Sequence, residues 1–133
     1  MNEIIHRISD DILSLDDGIL SVSVMDIRSG TILAACSKGV FKSRFSITED
    51  ERKNSGTWAI VILGLVIEAR NIFGDTKAII SVHKECKLML IPLHPLLIGL
   101  VVQRSTNVED YILNKIETLF ANDLCTSSYE FGG

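Results

Sequence analysis

Trp58-Ala-Ile-Val-Ile-Leu-Gly-Leu-Val-Ile67 is the stretch that decides how this chain folds. It lies within a longer helical pattern that begins at Thr48 and ends near Gly74, and its ten residues are apolar all the way round. A helix greasy on every side cannot rest on a surface with one face in water, so it must be covered on two sides. The chain's own sheet is one cover; a second copy of the chain is the expected other. The start is marked by Thr48 and Glu51, which fit a capping box of hydroxyl and returning carboxylate. Glu49, Asp50 and Glu51 lie where the positive end of the helix dipole favours acids. Gly74 supplies the stop, with Arg70 and Asn71 in the last turns.

Working outward from this helix, both flanks show regular patterns. Ile4, Ile5, Ile8, Ile12 and Leu15 recur at helical spacing up to the turn at Asp16-Asp17-Gly18. In Ile19 to Met25, Leu20, Val22 and Val24 alternate with Ser21, Ser23 and Met25. After Asp26-Ile-Arg-Ser-Gly30, the run Thr31 to Cys36 completes a hairpin. Ser37 to Ser46 reads as a polar, basic loop. Beyond Gly74, Lys77 to Val82, Lys87 to Ile91 and Leu96 to Val102 read as three consecutive strands, with Pro92 and Pro95 marking strand ends. Asn107 is placed to cap a last helix, Val108 to Phe120, whose stripe is Val108, Ile112, Leu113, Ile116 and Leu119.

The order α-β-β-α-β-β-β-α predicts an α/β (α+β) protein. Its core is a single five-stranded antiparallel sheet covered by helices on both faces. One domain is expected over residues 1–121, followed by a flexible polar tail over residues 122–133. At 133 residues the chain is long enough to bury most of its apolar surface. A net charge of -4 argues against nucleic acid, which needs a concentrated basic face. The longest apolar run is about half of what crosses a bilayer, and a cytoplasmic location is expected. Cys36, Cys86 and Cys125 are far apart and form no Cys-x-x-Cys, which suits reduced thiols.

The element order resembles the Roadblock family of small α/β proteins, akin in architecture to the longin and profilin folds. It is similar in particular to short archaeal members of unassigned function. The residues carrying the comparison are Ile12 to Leu15 leading into Ile19 to Asp26, then Ser29-Gly30. The helix start Thr48 to Arg52, the strand Lys87 to Pro92 and the closing helix Val108 to Ile116 complete it. The resemblance implies a dimer formed by the central helix and the strand after it. Trp58, Ile62 and Leu65 would meet between helices, and Ala78, Ile79, Ile80, Ser81 and Val82 would pair edge to edge. For Trp58, the core of its own chain is the other reading. The family role implied is that of a scaffold or regulator of a small Ras-like GTPase.

No nucleotide-binding or hydrolase motif accompanies this pattern, so no enzyme, cofactor or metal site is expected. His83 and Cys86 have the spacing of two metal ligands, with His94 the one recruit, but a closed zinc site needs four. Asp10-Asp11 and Asp16-Asp17 read as solvated acids, and Asp26 as a turn residue. Cys36 reads as a core-facing or edge thiol. The rival to the interaction module is a PAS- or GAF-type ligand sensor. Its pocket would have only Ser21, Ser23, Ser81 and His83 as polar lining.

Overall fold

The computed structural model describes residues 2–45, 61, 64, 69–107 and 109–127. Within them lie α1 (Asn2–Leu13), β1 (Ile19–Asp26), β2 (Ile32–Ser37), α2 (Gly39–Arg44) and α3 (Arg70–Phe73). They are followed by β3 (Ile79–Val82), β4 (Cys86–Leu93), β5 (Leu96–Gln103) and α4 (Glu109–Ser127). The strands form one five-stranded sheet in the order β2-β1-β5-β4-β3, antiparallel at every step. The chain is therefore an α+β protein built on a single antiparallel sheet.

Register explains which residues face which way. Val22 lies opposite Leu100, Val24 opposite Ile98, and Met89 opposite Leu100 on the other side. These side chains point to one face, where Ile5, Ile8 and Ile12 of α1 and Ile112, Ile116 and Phe120 of α4 cover them. Ile5, Ile8 and Ile12 are fully buried; such burial stabilises by roughly 2 kcal/mol per side chain. Ser9, also buried on α1, donates its hydroxyl to the Ile5 carbonyl at 2.9 Å, so its polarity is satisfied within the helix. The opposite face carries Met25 and Leu97 with Ile27 and Leu90. Beside them, Gly99 is opposite Ser23, and a Cβ there would come within 2.9 Å of the Ser23 Oγ.

The helix expected over residues 48–74 lies almost wholly outside the described residues, and with it the Thr48 cap, Trp58, Ile62 and Leu65. Val61 and Gly64 are helical, and Val61 is half exposed. At the far end Arg70–Phe73 stands as a short helix of its own, with Ala69 in a turn before it. The Ala69 carbonyl accepts from both Ile72 and Phe73, the tightened pattern of a helix terminus. The stop falls where the sequence places it. Gly74 takes φ 85°, a conformation that favours glycine, and its N–H reaches the Arg70 carbonyl at 2.8 Å.

Three boundaries depart from expectation. The polar loop over 37–46 contains α2, whose Phe41 stacks at 5.1 Å on Phe45, the extended residue just past the helix end. Pro92 does not end its strand but pairs with Leu97 inside β4. Ile79 lies opposite Leu90, so β3 has already ended where the missing Pro92 N–H would face it. Residues 122–127, assigned to the tail, continue α4. Nothing between Ala121 and Ser127 is a glycine or proline, so no residue there breaks the helix.

Candidate interaction surface

The sheet has two edges among the described residues, and they are built differently. β2 packs beneath α1, with Ala34 buried and Cys36 half-buried. Its end is tied down three ways. Ser37 Oγ meets Ser21 Oγ at 2.8 Å, and the Lys38 N–H reaches the Leu20 carbonyl at 2.9 Å. Lys38 Nζ also donates to the Asp16 carbonyl at 3.0 Å. β3 packs chiefly on β4. Ile80 is 42% exposed and Val82 56%. Ile72 and Phe73, a few residues upstream, stand further into solvent.

The β3–β4 turn fixes which backbone groups of β3 look outward. The His83 N–H donates to the Cys86 carbonyl at 2.9 Å, so the main chain of His83 faces β4. Backbone direction alternates along a strand. Ser81 and Ile79 therefore also face β4, opposite Leu88 and Leu90. The amides and carbonyls of Ile80 and Val82 point away from the sheet. Among the described residues no further strand pairs with this edge, and such an edge is a template for another strand. Of the residues assigned to an interface, Ala78 to Val82 are gathered here, with Ala78 leading into β3.

The remaining sequence candidates are occupied or dispersed. Ser81 Oγ and His83 Nε2 lie 2.7 Å apart, while Ser21 is engaged with Ser37. β1 and β3 are separated by β5 and β4, roughly 14 Å across at normal strand spacing. Among the described residues an open hollow of about 630 Å³ is lined by Lys84, Glu85, Gln103, Arg104 and Ser105, and none of the four pocket residues lines it. His94 follows the far end of β4 from Cys86, a strand length away. No three His, Cys, Asp or Glu side chains among the described residues are grouped as a metal would require. The Asp16 carboxylate accepts from the Gly18 N–H at 2.7 Å, and Asp10 and Asp11 are exposed.

Asp26 holds its turn together. Its carboxylate accepts the Arg28 N–H at 2.8 Å and the guanidinium at 3.3 Å, and these bonds lower its pKa. Cys36 moves the other way. Burial first, then the Asp10 carboxylate beside it, pushes the thiol up to about 11, far from the range of a reactive thiolate.

Sequence reasoning missed Lys87. It is buried at 7% exposure on the α1–α4 face, where its Nζ donates to the Thr106 carbonyl at 2.6 Å and to Asn107 Oδ1 at 3.2 Å. Asn107, expected as a helix cap, thus turns its side chain to a lysine. The one signal was Lys87 in step with Met89 and Ile91 on the core face.

This architecture is the Roadblock/LC7 fold. Myxococcus xanthus MglB superposes with a TM-score of 0.72 at 7% identity, covering 98% of this chain and 94% of that one. A Roadblock/LC7 domain from Streptomyces avermitilis gives 0.67 at 10% identity, covering 90% and 97%. MglB with a tetrameric arrangement gives 0.63 at 9% identity, covering 91% and 90%. At such identities the likeness is one of fold. No family model and no curated protein matches the sequence. Among the described residues, no helix is long and apolar enough to cross a membrane.

Proposed function

We propose that this chain is a non-enzymatic, dimeric interaction module of the cytoplasm that acts as scaffold or regulator of a small Ras-like GTPase. The observation that carries the reading is the β3 edge, where exposed Ile80 and Val82 accompany outward-facing backbone groups. Dimerisation there would join two sheets into one across a twofold axis, with Trp58, Ile62 and Leu65 meeting between central helices. Support also comes from the shared fold, since an MglB of that fold is tetrameric. The GTPase partner follows from the family resemblance of the element order. A stable interface of this type buries ~1,600 Å² in total.

Light scattering across a concentration series tests the first half of the reading. A dimer at micromolar concentration is expected, and a monomer throughout overturns it. The second half is tested by adding purified small GTPases in their GDP- and GTP-loaded forms. Nucleotide-dependent binding is expected, and indifference to every GTPase of the source cell removes that partner.

A further inference from the structure

We propose that the open hollow between the β3–β4 turn and the β5–α4 loop binds a phosphate-type oxyanion, with Lys84 and Arg104 as its charged ligands. The site lies beyond the end of β3 and does not depend on the dimer. All five side chains lining the hollow, Lys84, Glu85, Gln103, Arg104 and Ser105, are polar. Two bases face one acid there, in a chain whose net charge is -4. Among the described residues neither Lys84 nor Arg104 has an ion-pair partner. Glu85, by contrast, already takes part in an interaction of its own. The uncommitted charge in the hollow is therefore positive.

Both cations stand on fixed backbone. The His83 N–H donates to the Cys86 carbonyl at 2.9 Å and closes one turn, with Lys84 and Glu85 at its tip. The Thr106 N–H donates to the Gln103 carbonyl at 3.0 Å and closes the other around Arg104 and Ser105. That second turn is held from behind. The Gln103 N–H reaches the Gly18 carbonyl at 2.7 Å, and buried Lys87 donates to the Thr106 carbonyl at 2.6 Å. Because Gln103 turns its main chain toward Gly18, the next N–H, that of Arg104, is directed to the opposite side. Pairing with β4 has stopped there, at Cys86. Arg104 thus offers the hollow a main-chain donor as well as its guanidinium.

Chemistry selects the ligand. A guanidinium fork matches the paired oxygens of a phosphate, and an ammonium binds it as a point charge. The Gln103 carboxamide and the Ser105 hydroxyl are neutral donors for further oxygens. A single carboxylate would leave several of these donors idle, whereas a tetrahedral oxyanion can use them. At about 630 Å³ the hollow has room beyond one such group, and with no apolar lining it suits a hydrophilic remainder. A soluble phosphate ester and a phosphorylated lipid headgroup share this chemistry.

Amide chemical shifts of the full chain, followed as inorganic phosphate is added, test the site. Saturable changes at Lys84, Arg104 and Ser105 are expected, with affinity roughly tenfold weaker in a chain carrying both Lys84→Gln and Arg104→Gln. Lys84 and Arg104 are exposed, so this variant should unfold as wild type does. Lys115→Gln, on the exposed side of α4, should bind phosphate like wild type. Neutral phospholipid vesicles with and without a phosphoinositide separate the two sources. Vesicle binding that needs the phosphoinositide, Lys84 and Arg104 marks a lipid headgroup, and phosphate binding without vesicle binding marks a soluble ester. Absence of both overturns the proposal. So does an equal loss in Lys115→Gln, which would reduce the effect to general charge attraction.

Discussion

The two edges of the sheet solve one problem in opposite ways. At β2, α1 packs above the strand, and Ser37 and Lys38 tie its end to β1 and to the turn before it. At β3, among the described residues, neither helix cover nor a charged side chain within Ile79–Val82 blunts the edge, and the residues beside the outward backbone are apolar. An edge of this kind carries some risk of aggregation. The contrast teaches that β2 belongs to the chain's own structure, while β3 offers the edge on which the proposed pairing rests.

Substitutions that undermine the covered edge should cost most. Ile12→Ala removes a fully buried side chain from the helix above β2 and should destabilise by about 3 kcal/mol in chemical denaturation. Gly18→Ala comes next. A Cβ at Gly18 would run into Thr106 Oγ1 and the Asp16 carboxylate, so a loss of about 2 kcal/mol is expected in the same assay. A third test uses pH. Because the Cys36 thiol is pushed to about 11 in the folded chain, the unfolded chain loses that proton first, near its ordinary 9.0. Stability should therefore fall as pH rises from 9 toward 11, and Cys36→Ala should flatten that part of the slope.

The open edge should behave differently. Ile80→Lys adds a charge where there is already solvent, so the stability of the dilute chain should change by less than ~0.5 kcal/mol. Its effect should instead appear in light scattering, as loss of the dimer. A Ile80→Lys chain that unfolds like Ile12→Ala would erase the distinction between the edges.

Elements with one buried stripe were legible in the sequence because water imposes their period. Ile5, Ile8 and Ile12 declare α1, and Val22 and Val24 declare the inner face of β1. α2 was not legible, since its Val40, Lys42 and Ser43 are exposed and only the Phe41–Phe45 contact marks it. Lys87 was hidden because its acceptors come from Thr106 and Asn107, far along the chain. The segment Ala78 to Val82 was visible as a strand, but its openness follows from strand order. Which strand ends a sheet depends on contacts between distant residues, and local periodicity carries no record of them.

The enclosure of Lys87 bears on chemical labelling. An ammonium wrapped by a carbonyl and a carboxamide oxygen, with 7% of its residue surface accessible, is shut off from acylating reagents. Exposed amines such as Lys77 and Lys84 will take up label while this one stays blank in the native protein. Modification at that position thus becomes an internal gauge of whether a preparation has opened.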